Sequence, residues 1–533
     1  MQTALVLTLG HGSSAIFIES GQVKCGYQNE RLSGIKGDSR FPALAIERVL
    51  QECDVPSDLM IYVSHWEPTG NVDKMTIKHW NREYLSQRFP KADIVCTSTM
   101  FTHHDAHAYS ALAYNYHAEK PHYIVVADGF GTLGEVLSIY MLESRGVRRV
   151  KRCYGYSNSL GLLYQYATDY VGLKMNQDEY KLNAMANRLS TSEAPDILEL
   201  AMDKADELLM NLDKSTRGGA DDPIVSINAL SYVHKQSVDF FESHFGPDQR
   251  PQIAFFLQSV VEIVLEELIE KHCVECKDIT FVGGCFLNVQ LNGHLAKCCD
   301  SISVMPLSGD EGAGLGLYTR YNPNFVIPDD LNWGLRTLHP TVAQSCADGI
   351  IYVPKNRFAG EIEQHLKEDK IVNVVRGAME YGPRAYCNTS TLALPTIENR
   401  SYINKLNNRH DAMPMCPVMT SSQFIAYCKW STCYKRSVEH MIVAISVLDE
   451  WVENIEGATF TTLDGETTCR PQVINSDHYL WFVVDRQGPL INTSFNNHGH
   501  PICLDLKQVL ECHEYMRHRD SKNRIVTLIE LSN

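Results

Sequence analysis

Short apolar runs of strand period alternate along this chain with longer stretches of helical period, the pattern of an α/β protein. Residues 4–9, 15–19 and 23–28 are apolar or alternating and are separated by glycines, so three strands joined by tight turns are expected. An amphipathic helix over 43–53 and a strand over 59–64 follow, then polar and aromatic residues to 89 that read as helix and loop. Apolar runs at 123–127, 136–142, 278–282 and 301–305 predict further strands. Helical spacing marks 160–171, 178–189, 229–244, 251–272 and 313–321. Residues 322–342 hold prolines and no period, so they are expected to link two domains. Beyond them, 359–368 and 401–408 read as helices. Residues 371–375, 440–447, 472–474, 479–484 and 489–492 read as strands, giving an α/β unit with a sheet of mixed direction.

Glycines gather where strands end. The first strand runs into Gly10-His11-Gly12-Ser13-Ser14, the strand over 278–282 into Gly283-Gly284-Cys285-Phe286-Leu287-Asn288, and the strand over 301–305 into a turn containing Ser308-Gly309-Asp310-Glu311-Gly312. The last two turns lead into helices, whose free N–H groups make anion sites. Strand, glycine turn and helix with an acid at the strand end occurs twice, as a duplicated nucleotide-binding fold requires. A hydroxyl-bearing first turn is how the actin and sugar-kinase type of fold begins. His11 in that turn can act as a base or hold an acceptor; a bland alternative is a turn histidine capping a carbonyl.

The strongest chemical pattern is F-T-H-H-D-A-H-A-Y-S at 101–110. His103 and His107 lie four apart, so a helix continuing through the Ala-rich run to 114 projects both imidazoles from one face. Asp128, at the end of the next strand, completes a two-His, one-carboxylate set. Those donors suit Fe(II), Zn(II) or Mn(II) better than Mg(II) or Ca(II). With 21 histidines in the chain, the spacing alone also fits a surface or core pair.

Bulk properties narrow the classes. A chain of 533 residues is too long for one core. The formal charge of -16 argues against polymeric nucleic acid while leaving room for a local nucleotide pocket. No apolar run reaches membrane-span length, and 4–9 lacks the basic flank of a signal peptide, so a cytoplasmic location is expected. The 17 cysteines are scattered and are expected as reduced thiols. Cys273-x-x-Cys276 and Cys298-Cys299 lack the second C-x-x-C unit of a zinc ribbon.

Taken in order, the motifs resemble those of the O-carbamoyltransferases of nodulation-factor and antibiotic biosynthesis. They are G-H-G-S-S-A (10–15), N-E-R (29–31), F-P-A-L-A-I (41–46), H-H-D-A-H-A (103–108), D-G-F-G (128–131), G-G-C-F-L-N (283–288) and S-G-D-E-G (308–312). E-Y-G-P-R-A (380–385), Asp464-Gly465 and N-T-S-F-N-x-x-G-x-P (492–501) continue the series. The resemblance implies a duplicated actin/sugar-kinase-like (ASKHA) domain over 1–335 and a YrdC-like α/β domain over 345–533. The second would turn carbamoyl phosphate and ATP (with Mg) into carbamoyl-adenylate. The first, similar to the domain that transfers threonylcarbamoyl to tRNA, would pass the carbamoyl group to a hydroxyl of a sugar, an antibiotic core or a hydroxymethylated nucleotide.

The resemblance also implies roles. His103, His107, Asp128 and Asp310 would hold a divalent metal, Fe(II) first and Zn or Mn as alternatives. His11 would take the acceptor proton or hold the acceptor. Glu179, Lys181, Gly283, Gly284, Asn288, Gly309 and Gly312 would line the nucleotide. Arg384, Asn388, Ser390, Arg409, Arg470, Asn492 and Ser494 would bind carbamoyl phosphate and ATP. Three cations of the family pattern are missing: Thr389, Asn407 and Met413 stand where Arg, Lys and Arg are expected. That leaves two alternatives to full activity, an adenylate-binding regulatory protein with a weakened second domain, or a transferase using another acyl donor.

Overall fold

The computed structural model describes residues 3–66, 81–114, 123–143, 146–215, 227–275, 277–334, 348–410, 413–429 and 432–531. Its first half is built on one plan used twice. β1 (Ala4–Thr8), β2 (Ser14–Glu19) and β3 (Gln22–Gln28) form an antiparallel meander, while β4 (Met60–Ser64) and β5 (Asp93–Cys96) add in parallel beyond β1, giving the order β3-β2-β1-β4-β5. β6 (Tyr123–Ala127), β7 (Glu135–Glu143) and β8 (Gly146–Tyr154) repeat the meander. β9 (Asp278–Val282) and β10 (Ser301–Val304) then add in parallel beyond β6, giving β10-β9-β6-β7-β8. This repeat is the duplicated actin/sugar-kinase-like α/β architecture. β1 and β6 are the central strands because every residue in each is apolar or small and buried, as a strand covered on both faces requires.

Between the sheets lie two helices, His103–Tyr114 and Asp310–Tyr321. Ala108 and Ala111 of the first and Leu315, Leu317 and Tyr318 of the second share one core with Val6 of β1 and Val126 of β6. They cross at Gly316, where a Cβ would lie 2.7 Å from both the Ala106 carbonyl carbon and the Ser110 nitrogen, and closer still to the Ala106 oxygen. Glycine is what lets the backbones touch.

From residue 348 onward the expected mixed sheet is present. β11 (Ile350–Pro354), β12 (Ile371–Val375), β13 (Thr389–Ala393) and β14 (Cys416–Thr420) belong to it. A small sheet of β15 (Ile445–Ser446), β16 (Thr459–Thr461) and β17 (Thr467–Cys469) sits beside it in the order β15-β17-β16. β18 (Gln472–Ile474), β19 (Leu490–Ser494) and β20 (Ile525–Leu531) complete the large sheet, ordered β11-β20-β12-β13-β19-β14-β18.

Three expectations need correction. Of residues 479–484, the last four belong to a helix, Trp481–Gln487, with Val483 and Val484 buried and Phe482 61% exposed; so short an apolar run fits helix and strand equally. In 440–447 only Ile445–Ser446 is extended, paired with β17. The helix expected over 178–189 is two short pieces, Glu179–Asn183 and Ala186–Arg188, and Asn183 turns inward to bond the Tyr164 hydroxyl and Gln258. Of the expected linker, the described part (322–334) is a packed strap. Phe325 and Ile327 are buried, Gly26 donates its N–H to the Trp333 carbonyl (2.9 Å) and Gly334 donates to Met379 (2.8 Å). Its single anchors have no period, which is why they read as loose chain. The rest of that stretch, and Cys276, lie outside the described residues. Among the described residues the cysteines are free thiols, and no helix is long and apolar enough to cross a membrane.

Candidate active site

The histidine helix starts where its first turn dictates. Thr102 donates its N–H to Asp105 Oδ2 (2.9 Å) and Asp105 donates its own to the Thr102 hydroxyl (3.3 Å), a reciprocal cap. Arg149 and the Tyr140 hydroxyl hold Asp105 from behind. With the start fixed, His103 and His107 face the same way, while His104 between them turns to the Ser138 hydroxyl at 2.9 Å. Asp128 ends β6, and its Oδ1 accepts the Gly284 N–H at 3.2 Å. Gly283, at φ +107°, lets β9 end against β6: a Cβ there would sit 2.8 Å from the Ala127 carbonyl carbon. Asp310 opens the facing helix.

These four side chains converge. His103 Nε2 lies 3.3 Å from Asp128 Oδ2 and 3.2 Å from Asp310 Oδ1; His107 Nε2 lies 3.6 and 3.5 Å from the same atoms, and the two Nε2 atoms are 3.1 Å apart. Both imidazoles are buried, and their Nδ1 atoms have no partner among the described residues, so all their polar engagement is at Nε2. Burial pulls the His103 imidazolium down, but Asp310 and Asp128 more than reverse it, to about 10. Burial likewise opposes ionisation of Asp310, yet His103 holds it at about 2. Such packing of two carboxylates with two rings demands positive charge. A divalent cation would supply it with both rings neutral, and the donor set fits a borderline metal.

His11 stands beside this cluster, in a turn packed on the Asp310 helix; a Cβ on Gly12 would be 2.8 Å from the Glu311 nitrogen. Its ring contacts the Asn176 carbonyl at 3.3 Å, and the Asn176 N–H is donated to Glu179 Oε1 at 2.5 Å, so His11 and Glu179 meet at one residue. Burial lowers the His11 pKa, but facing Asp310 and Glu311 raises it overall. Glu311 is buried with Oε1 unpartnered, and burial pushes its carboxyl up to about 7. Glu311 lies inside the S-G-D-E-G motif with no role implied there, and its sequence signal is an acid directly after Asp310 at a helix start. Lys181 is ion-paired to Asp178 at 2.8 Å. Gly309 and Gly312 form the first turn behind Asp310, and Asn288 caps the Val289–Cys298 helix while donating to Gln258 at 2.7 Å.

In the second half three arginines gather. Arg384 donates to the Leu287 carbonyl (3.3 Å), Arg409 to the Thr493 hydroxyl (2.7 Å) and Arg470 to the Pro414 carbonyl (3.1 Å). Among the described residues no carboxylate pairs with any of them. Burial, with repulsion from Arg384 and Arg409, lowers Arg470 to about 9. Half-buried guanidinium groups without carboxylate partners favour an anion. Arg384 also reaches the Gly-rich turn of the first half, so the two sets adjoin. Ser390 and Ser494 face each other across β13 and β19. Asn388, Asn492 and Ser390 bind their own scaffold: Asn388 donates to Ala378 (2.8 Å), Asn492 to Gln472 (2.7 Å), and the Ser390 hydroxyl accepts from Cys387 N (3.1 Å). Glu380, not anticipated, fixes the arginine loop by accepting three backbone N–H groups, from Tyr386, Asn388 and Thr389, at 2.8–3.0 Å. Asn407 and Met413 are buried, 1% and 6% exposed.

The chain matches two family models, Carbamoyltransferase N-terminus over residues 90–317 and Carbamoyltransferase C-terminus over 363–520. It is 26% identical to an uncharacterised protein of Methanocaldococcus jannaschii, over 94% of both chains. It is 24% identical to nodulation protein NolNO of Sinorhizobium fredii, over 93% of this chain and 75% of that one. With the 3'-hydroxymethylcephem-O-carbamoyltransferase of Amycolatopsis lactamdurans it shares 28% identity over 35% of this chain and 36% of that one. One model spans the His–Asp cluster and the other the arginine loop, matched in order along one chain: this protein belongs to the carbamoyltransferase family and is an enzyme that transfers carbamoyl groups.

Proposed function

We propose that the protein is an ATP-dependent O-carbamoyltransferase with two adjoining sites, one in an ASKHA domain (1–335) and one in a YrdC-like domain (345–533). The observation that carries the reading is the convergence of His103, His107, Asp128 and Asp310 beside His11, with Arg384 joining that half to the arginine pocket. In the second domain Arg384, Arg409 and Arg470 bind carbamoyl phosphate and the phosphates of MgATP, with Ser390, Ser494, Asn388 and Asn492 shaping the pocket. There one water releases phosphate from the donor, and the carbamate oxygen displaces pyrophosphate from the α-phosphorus of ATP, giving carbamoyl-adenylate. In the first domain the glycines at 283, 284, 309 and 312 let backbone N–H groups approach the adenylate, and Glu179, Lys181 and Asn288 line it. His103, His107, Asp128 and Asp310 would hold a divalent ion, Fe(II) by donor type with Zn or Mn as alternatives, which would supply Lewis acidity for the transfer. His11 takes the proton of the acceptor hydroxyl, and Glu311, poised near neutrality, stands by to share it. The acceptor is a hydroxylated small molecule or nucleotide, and the reaction is cytoplasmic. The hydroxymethyl acceptor named for the Amycolatopsis relative is the nearest guide to its class.

A second reading keeps the first domain as an adenylate binder whose second domain is weakened, favoured by the neutral, buried Asn407 and Met413; a third substitutes another acyl donor. One assay separates them: pyrophosphate release from ATP with and without carbamoyl phosphate. No release favours the regulatory reading, and release only with another donor favours the third. His107→Ala is expected to abolish carbamoyl transfer while pyrophosphate release continues; survival of both activities removes the metal assignment.

A further inference from the structure

Behind the Gly283-Gly284 turn, two helices face each other with matched side chains. Arg250–His272 presents Glu262 and Glu266 one turn apart, and Val289–Cys298 presents His294 and Cys298 one turn apart. His294 Nε2 lies 2.8 Å from Glu266 Oε2, and the Cys298 thiol donates to Glu266 Oε1 at 3.2 Å. Ligand atoms of Glu266, His294 and Cys298 all lie within 4.8 Å of one another. The other ring nitrogen of His294, Nδ1, faces Glu262 Oε2 at 3.7 Å. A cavity of about 230 Å³ opens on the Glu262 and His294 side of the cluster, lined also by Lys297, whose ammonium is ion-paired to Asp464 and Glu466 at 2.8 and 3.0 Å.

A half-buried His–Glu ion pair explains two of these side chains. It does not explain a thiol on the same carboxylate, or a second carboxylate behind the ring. A carboxylate on the far nitrogen of an imidazole is the usual support of a metal-bound histidine, and it leaves Nε2 free as the ligand atom.

We propose that Glu266, His294 and Cys298 form a second cation site that takes a borderline divalent ion, Zn(II) by preference, with Glu262 facing His294 from behind. Thiolate and imidazole together select zinc over magnesium or calcium. On binding, the Cys298 S–H bond breaks, its proton leaves to solvent and a zinc–sulfur bond replaces it. One carboxylate and one thiolate among the ligands then neutralise the ion's two charges. The ion clamps the two helices that also meet through Asn288 and Gln258, and so steadies the Gly-rich turn. The site is independent of the carbamoyl-transfer reading.

Cobalt(II) binding to the full-length chain tests this. The His103 cluster holds no sulfur, so a near-ultraviolet thiolate-to-cobalt charge-transfer band reports only a cysteine site. The expected result is such a band in the wild type, saturating at a single sulfur-ligated ion per chain, kept in His107→Ala and lost in Cys298→Ser. Glu262→Gln, which removes no ligand, should weaken zinc binding about tenfold. A wild-type protein without the band, a band that survives Cys298→Ser, or unchanged affinity in Glu262→Gln would overturn the proposal.

Discussion

Gly316→Ala tests whether the metal cluster is set by the crossing of its two helices. The added methyl group would meet the Ala106 carbonyl carbon and the Ser110 nitrogen at 2.7 Å, and the Ala106 oxygen more closely still. All three are backbone atoms, so no side chain can swing away. Real Cβ contacts essentially never fall under 3.0 Å, so the helices must part by at least several tenths of an ångström, and by more to clear the oxygen. Ala106 lies between His103 and His107, while Asp310 starts the helix that must move. The donors now stand 3.2–3.5 Å from Asp310 Oδ1, and metal bonds tolerate only about 0.2 Å of error. Overpacking costs about 1–3 kcal/mol in stability. The expected outcome is a lower Tm by calorimetry, metal lost to a chelator that leaves the wild type loaded, and no carbamoyl transfer. Gly360→Ala is the control: that glycine sits in the Phe358–Lys367 helix with open space around its Cβ, and alanine there should stabilise by about 1 kcal/mol. If Gly316→Ala retains its metal and its transfer rate, the helix crossing does not set the site.

Other outcomes follow from the same geometry. Arg384→Ala should cut donor-dependent pyrophosphate release by about tenfold or more, the worth of one charge-assisted hydrogen bond, and Arg384→Lys should not restore it fully, read by steady-state kinetics. Stripping the metal with a chelator should halt transfer, spare pyrophosphate release and lower Tm, because the four donors then face one another without a cation; unchanged Tm would speak against a resident ion. Glu135 is wholly buried, and burial pushes its carboxyl up to about 7 from 4.5 despite Arg152 at 2.7 Å. Between those values the folded chain holds a proton that the unfolded chain has released, so this group's contribution to stability falls as pH rises from about 4.5 to 7. Denaturant melts across that window should show the fall in wild type relative to Glu135→Gln, and parallel pH profiles would reject the burial argument.

What could be read from the chain tracks how local the cause is. The histidine helix was legible because its face is fixed by spacing alone, and the strands of the first half because glycine punctuates each run. Asp310 was reached only through motif likeness: it lies 207 residues from His103, and no local pattern reports such a meeting. Tyr479 to Val484 misled because a short apolar run has no period of its own. The packing of 322–334 was not legible because residues buried singly, such as Phe325 and Trp333, repeat at no interval. Lys181, Asn288 and Asn492 were assigned to ligands through the family resemblance, and the contacts each makes within the protein, to Asp178, Gln258 and Gln472, left no local pattern.

The junction between the halves was the least legible feature, and it bears most on how the two proposed sites cooperate. Arg31 is buried and donates to the Gly382 carbonyl (2.7 Å), the Gly382 N–H is donated back to Gln28 (3.2 Å), and the Tyr381 hydroxyl sits on Ser14 and the Glu311 carbonyl (2.8 and 2.9 Å). Each bond spans a separation that sequence periodicity cannot sense. Yet together they tie Tyr381-Gly382-Pro383-Arg384, which carries the arginine of the pocket, to the helix turn that carries Asp310. A buried polar network of this kind is costly when half satisfied, so it resists sliding of one half against the other. Under the proposed mechanism, an adenylate made in the arginine pocket would therefore meet a wall whose position relative to the His–Asp cluster is fixed by Tyr381. Tyr381→Phe, which removes both hydroxyl bonds and little volume, should leave pyrophosphate release near wild type and lower transfer. Equal losses in both half-reactions would mean that Tyr381 supports the fold and does not align the sites.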